Sequence, residues 1–211
     1  MSGLPISFAG ADLIARPSGA LWWPKWRGLI MADLHLGKSE RVARRGGPLL
    51  PPFEGAETLA RLQAEITALS PRVTFLLGDT FDDDAAASDV LDPLRLCTDL
   101  HLLSGNHDRA SGTPCLRLDG IALRHQADPS DAPDLSGHFH PKLTIAGRRH
   151  RAFLIGQDHL ILPAFGTYTG GMEAQDRVLT DLIGPGRAVI VTGRTAHLVP
   201  YGIRPAARGN A

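Results

Sequence analysis

Several short apolar runs in this chain break, one after another, on a polar residue able to bind a metal ion, and that pattern limits the fold more sharply than anything else. Gly28-Leu29-Ile30-Met31-Ala32 ends on Asp33, and Val73 to Leu77 ends on Gly78-Asp79. Leu100 to Leu103 runs into Gly105-Asn106, and Ile121-Ala122-Leu123 into His125. Runs this short and this apolar have the length and character of strands buried on both faces. Between the first two lies Glu54 to Leu69, where Ala56, Leu59, Ala60, Leu62, Ile66 and Leu69 share one broad helical face, with Arg61 and Glu65 outside it. Ser70-Pro71 stops that helix. The expectation is an α/β fold with its ligands at the C-terminal edge of the strands, where open sheets of this class bind them.

The flanking regions add strands and few helices. Ile6 to Pro24 reads as strands joined by the Pro17-Ser18-Gly19 turn, and a poorly defined helix is expected around Ser88 to Leu96. From Leu143 to Pro200 the pattern is short strands with Gly turns: Phe153 to Ile155, Leu160 to Leu162, Ala188 to Val191 and His197 to Val199. No repeat, low-complexity tract or linker interrupts the chain, so residues 1–211 read as one domain. Gly 23 and Pro 16 argue against a helical bundle, and 43% hydrophobic with 21% charged residues argues against disorder. Lys+Arg 22 against Asp+Glu 22 excludes a polycation that binds by bulk charge, though not a local basic track.

Cys97 and Cys115 are too few for a disulfide framework or a thiolate zinc cage and read as ordinary buried thiols. No stretch approaches the ~20 apolar residues that span a bilayer. Met1 to Ala11 lacks the basic start of a secretory signal, so a cytoplasmic location is expected. Trp22, Trp23 and Trp26 around Pro24-Lys25 either stack nucleic-acid bases or cap the core, the second being the commoner use.

Five motifs stand in order at the ends of these strands: Asp33-x-His35, Gly78-Asp79, Gly105-Asn106-His107-Asp108, His125, and Gly137-His138-Phe139-His140. Singly each is weak. Together they gather carboxylates, imidazoles and one amide, a donor set suited to borderline or hard divalent cations. In extended chain, residues two apart project to one side, so Asp33 with His35, and His138 with His140, can reach a common cavity. The glycines before Asp79, Asn106 and His138 allow tight turns or close backbone approach.

In these blocks the chain resembles the calcineurin-like metallophosphoesterase superfamily. The stretches Asp33 to Lys38, Gly137 to Pro141, and Pro163 to Gly166 through Gly170-Gly171 look like its bacterial ligase-associated clade. Members of that clade are manganese-dependent DNA endonucleases and phosphodiesterases encoded beside a DNA ligase, an exonuclease and a helicase. The resemblance implies a four-layer sandwich, two mixed β-sheets face to face with helices outside. It also implies two divalent ions, manganese most of all, with iron, zinc or cobalt admitted by the donor set. Asp33, His35 and His140 would hold the first ion, Asn106, His125 and His138 the second, and Asp79 would bridge them. Hydrolysis would proceed by in-line attack of a bridging hydroxide on a phosphodiester. His107 would approach the phosphate and leaving group, with Asp108 hydrogen-bonded to its imidazole. Asp82 would support the metal ligands, Asp83 and Asp84 would lie in a solvated loop, and His101, His150, His159 and His197 match no position of the family pattern.

Two basic clusters bear on the substrate. Lys38, Arg41, Arg44 and Arg45 follow the first motif, and the three arginines share a face if that stretch is helical. Arg148, Arg149 and Arg151 follow the last motif. Either they are solvated surface or they form tracks for a polyanion, and the nearness of the first cluster to Asp33 and His35 favours phosphate contact. The expected activity is hydrolysis of DNA with little base specificity, in DNA repair. The alternative is a small-molecule or cyclic-nucleotide phosphodiesterase or phosphatase on the same scaffold.

Overall fold

The apolar runs form the inner strands of two facing sheets. The computed structural model describes residues 3–44, 46–47, 53–82, 88–108, 112–184 and 188–200. In the first sheet, β1 (Leu4–Phe8), β2 (Ala11–Ala15), β3 (Leu21–Trp23), β4 (Gly28–Met31), β5 (Val73–Leu77) and β6 (Asp99–Leu103) lie side by side in chain order. Pairing is antiparallel up to β4 and parallel from β4 through β5 to β6, with Ile30 opposite Phe75 and Phe75 opposite His101. Parallel neighbours need crossovers. Here these are α1 (Lys38–Arg44) with α2 (Glu54–Leu69), then a 3-10 turn at Ser88–Leu91 with α3 (Asp92–Arg95).

The second sheet comprises β7 (Cys115–Leu118), β8 (Ile121–Arg124), β9 (Asp134–Ser136), β10 (Lys142–Ile145), β11 (Arg148–Ile155), β12 (His159–Ile161), β13 (Ala188–Val191) and β14 (His197–Pro200). Its order is β14-β13-β11-β12-β9-β8-β7, with β10 paired to β11. The run β8–β9–β12 is parallel, so this sheet is mixed as well. The helix α4 (Arg177–Ile183) covers its outer face and is capped by Asp176, whose side chain accepts the Val178 amide.

Three apolar clusters explain why the strand runs are continuous rather than alternating. Ile30, Phe75 and Leu77 of the first sheet meet Leu123, Leu135 and Phe153 of the second between the sheets. The residues between them, Leu29, Met31 and Leu76, point outward onto Leu62 and Ile66 of α2. Leu154, Ile161 and Val189 likewise meet Leu179 and Ile183 of α4. The result is a helix, two sheets and a helix, the sandwich the resemblance implied. Each fully buried Leu or Ile contributes ~1.5–3 kcal/mol.

Some expectations need correction. Arg61 and Glu65 do not face solvent. Glu65 accepts from Arg16 Nε at 2.9 Å, and Arg61 donates to the carbonyls of Phe165 and Ser18 while lying over the Phe165 ring. The apolar face of α2 is thus widened by two charged groups that are satisfied inside. Cys97 is exposed and Cys115 half-buried, and both are free thiols. Trp22 and Trp23 are core residues, and Trp26 donates its indole N–H to Asp119, so none is posed to stack a base. The strands β7, β9 and β10 and the helix α4 have patterns too short or too polar to stand out in the sequence.

Candidate metal centre

The loops after β4, β5, β6, β8 and β9 converge on one edge of the sandwich. Backbone bonds lace them together: Asp33 N–H to Gly78 O, His35 N–H to Asp79 O at 2.9 Å, and Gly137 N–H to His125 O at 2.8 Å. The pairs Asp33/His35 and His138/His140 reach the common cavity, but not by strand alternation. All four are left-handed, with φ of 56°, 51°, 68° and 48°, and Asp79 joins them at 47°. A non-glycine residue held there costs roughly 1–3 kcal/mol, and such strain gathers at functional sites. Bonds to two of these carboxylates hold it in place: Asp33 Oδ2 accepts the His138 amide and Asp79 Oδ1 the His107 amide, each at 2.9 Å. Two glycines permit the close approach. A Cβ at Gly105 would stand 2.2 Å from the Asp79 amide, and one at Gly137 2.4 Å from Asp33 Oδ2.

Donor atoms of Asp33, His35 and His140 lie within 4.8 Å of one another, as do those of Asp33, Asp79 and His125 and those of His35, Asp79 and His107. His35 Nε2 and His140 Nε2 are 3.2 Å apart. His138 Nδ1 is 3.1 Å from His125 Nε2 and 3.2 Å from Asn106 Nδ2. His125 Nε2 is 3.5 Å from Asp79 Oδ2, which sits between the two groups. The structure therefore brings together all seven residues expected to hold metal.

The chemistry of this cluster fits cations. His125 Nδ1 donates to the Leu77 carbonyl at 3.0 Å, which leaves Nε2 as a bare lone pair facing inward. His35 Nδ1 is fixed the same way by Asp82 Oδ1 at 2.8 Å. Asp33 Oδ1 is fully buried and accepts no hydrogen bond, although His140 Nε2 stands 3.5 Å away. A buried acceptor left open among imidazole nitrogens has the chemistry of a cation ligand. Burial alone would raise the Asp33 carboxyl, but the imidazoles of His140, His125 and His35 outweigh it and hold it below the usual carboxylate range. Burial, joined by the neighbouring His125 imidazole, pushes the His138 imidazole down and favours its neutral form.

With that geometry in hand, the family model for calcineurin-like phosphoesterases matches residues 27–193. The chain belongs to that family. It is a metal-dependent phosphoesterase, a hydrolase. The fold is similar to the crystal structure of Pseudomonas putida nuclease MPE, at 26% identity over 92% of this chain and 97% of that one, with a TM-score of 0.69. No curated protein gives a significant match to the sequence.

The remaining expected site residues of this phosphoesterase divide. His107 faces the cluster, one-third exposed, with Nε2 3.9 Å from Asp79 Oδ2. Asp108 does not bond its imidazole. The Asp108 carboxylate is fully buried and accepts four backbone amides, those of Asp79, Thr80, Phe81 and Gly105, at 2.8–3.1 Å. It fastens the Asp79 loop to the Asn106 loop, and both oxygens are used up in doing so. Burial raises its carboxyl, an effect only partly offset by those amides.

Of the basic residues, Arg41 turns inward and pairs with Asp82 Oδ2, behind His35. Lys38 is half-buried at the start of α1, Arg44 is exposed near its end, and Arg45 lies outside the described residues, as do Asp83 and Asp84. In the second cluster, Arg151 is internal: it donates to the carbonyls of Phe165 and Gly166, and burial lowers its guanidinium to about 10. Arg149 is tied to Gly171 O and Glu173. The chain from Arg41 through Asp82 to His35 was only half legible. Asp82 follows a ligand motif closely enough to be noticed, whereas Arg41 and Asp82 are 41 positions apart with no local signal linking them. Among the described residues no helix is long and apolar enough to cross a membrane.

Proposed function

We propose that this phosphoesterase hydrolyses DNA phosphodiester bonds with two divalent cations, manganese above all, in a cytoplasmic repair role alongside a DNA ligase, an exonuclease and a helicase. The observation that carries the metal-dependent reading is Asp33 Oδ1, buried, without a donor, and ringed by imidazole nitrogens. Asp33, His35 and His140 would hold one cation, Asn106, His125 and His138 the other, with Asp79 shared. Bound cations supply Lewis acidity toward a phosphoryl oxygen and bring the pKa of a water from ~15.7 toward ~7.

The chain's own residues do the rest. Nδ1 contacts to Asp82 and Leu77 O hold His35 and His125 in the tautomer that presents Nε2. His107, one-third exposed at the rim, can deliver a proton from Nε2 to the departing ester oxygen. The grouping of Asp79 with His35 on one side and with His125 on the other fits one carboxylate serving both halves.

DNA as the substrate draws support from the resemblance to a protein named as a nuclease. Lys38 and exposed Arg44 flank the first motif and suit a phosphate backbone, although Arg41 and Arg151 are engaged within the protein. The test is a panel of metal-free protein reloaded with manganese, iron, zinc or cobalt. Linear, circular and single-stranded DNA are compared with bis(p-nitrophenyl) phosphate. The expected result is manganese-dependent cutting of DNA, circles included, and inhibition of aryl ester cleavage by DNA. Aryl ester cleavage that DNA neither shares nor inhibits would favour the small-molecule reading instead.

A further inference from the structure

Next to the half of the cluster formed by Asn106 and His125, the surface opens into a cavity of about 470 Å³. That volume falls within the ~300–1,000 Å³ typical of small-molecule sites. Asn106 and His125 form one wall, so the cavity adjoins the cluster. Ser104, Gln126, Pro114 and Pro129 supply the others.

The charges behind the walls say what does not belong there. Arg124 is nearly buried, and its guanidinium is committed to Asp128 at 3.1 Å and to Asp131, with Asp134 at 3.9 Å from Nε. Asp131 also pairs with Arg117, so three carboxylates face two guanidiniums. Within the lining itself Arg124 and Asp128 pair with each other, so a second phosphate would meet walls with no net charge and a guanidinium already engaged. A neutral group with apolar faces and polar edges suits it better. The prolines offer rigid apolar flanks, the exposed Gln126 amide both donates and accepts, and the Ser104 hydroxyl does the same.

We propose that this cavity is a nucleoside subsite, seating the sugar and base on one side of the scissile phosphate while the carboxylate–imidazole cluster takes the phosphate itself. The assignment rests on the phosphodiesterase reading above and names where that substrate gains affinity. Gln126 and Ser104 act as binding residues that hydrogen-bond the nucleoside. The clasp from Arg124 to Asp128 and Asp131 is a positioning device that holds the Gln126–Asp131 loop in shape.

Cys115 lines the same cavity and provides a readout that needs neither metal nor turnover. In a Cys97→Ser background, labelling of Cys115 by a thiol reagent should slow when thymidine is added and not when inorganic phosphate is added. Gln126→Ala should weaken that protection about fivefold, the loss of one hydrogen bond. A thiol that thymidine fails to protect, that phosphate protects equally, or that does not react at all would overturn the subsite. In manganese-loaded enzyme, Gln126→Ala should raise KM for thymidine 5′-(p-nitrophenyl phosphate) about fivefold more than KM for bis(p-nitrophenyl) phosphate. Equal losses on both esters would show a structural role and overturn the proposal. Wild-type enzyme inert toward both esters would overturn the phosphodiesterase reading instead, leaving the labelling experiment to decide the cavity.

Discussion

Asp33 and Asp108 are both completely buried, both within a few residues of an Asn or His that faces the cluster, and they behave in opposite ways. Asp33 has one oxygen on the His138 amide and the other on nothing, and the surrounding imidazoles hold its carboxyl low. Asp108 has both oxygens filled by four amides and a carboxyl raised by burial. A buried carboxylate is therefore read by what it leaves open: the unfinished one is available to a cation, and the finished one ties loops together. The sequence motif runs through both and does not separate them.

The comparison is broken most directly by removing each side chain in turn. Asp33→Ala should lower kcat/KM by about 1000-fold or more, a loss of ~4 kcal/mol of transition-state stabilisation, because it removes a donor to one cation. Thermal melting of the metal-free protein should show the reverse ranking. Asp108→Ala leaves four buried amides unpaired and should cost about 3–5 kcal/mol after relaxation, lowering Tm by ~10 °C. Asp33→Ala should lower it by less than half as much. If Asp108→Ala melts like wild type and loses only activity, Asp108 acts on His107 after all.

Asp82 sharpens the contrast, because it is a buried carboxylate with a foot in each class. One oxygen orients His35 and the other takes Arg41, and although burial would raise its carboxyl, His35 and Arg41 together hold it low. Asp82→Asn keeps the volume and loses the charge, so His35 is less firmly fixed as an Nε2 donor. Metal affinity should fall about 10–100-fold, as for other residues behind a metal ligand, measured by titration of the metal-free protein. An unchanged affinity would mean that His35 is oriented by packing alone.

What was readable beforehand follows the range of the interactions. The strands β4 and β5 and the helix α2 announce themselves because their apolar spacing is local, and α2 has the bounds its periodicity gave, Glu54–Leu69. The candidate ligands were readable as residue types at strand ends. Their backbone was not: the left-handed angles at Asp33, His35, His138 and His140 come from loops bound to one another across the two sheets. The same holds for charges. Arg61, Arg151 and Glu65 read as surface because a long charged side chain usually is, and only the facing carbonyls and Arg16 make their burial tolerable. Three-residue strands such as β9, completed by parallel partners on both sides, carry no signal of their own.

Arg41 gives the smallest effect and the finest test. From its position after the first motif it reads as a phosphate contact, and from its side chain as the group that holds Asp82, one-fifth exposed against a partner that is almost fully buried. The two roles separate by salt. A residue on a DNA phosphate contributes about one unit to the slope of log affinity against log salt, and its removal lowers that slope whatever the metal does. A residue behind His35 leaves the slope alone and weakens the metal instead. Arg41→Met keeps much of the apolar stem and removes the charge. It should weaken metal binding by only a few-fold, less than Asp82→Asn, since Asp82 would still bond His35. The salt slope of DNA binding should not move, whereas Lys38→Ala, at a residue that pairs with no carboxylate among the described residues, should lower it by about one unit. A slope that drops with Arg41→Met at unchanged metal affinity would return Arg41 to the substrate, and would leave Asp82 relying on His35 alone for its charge.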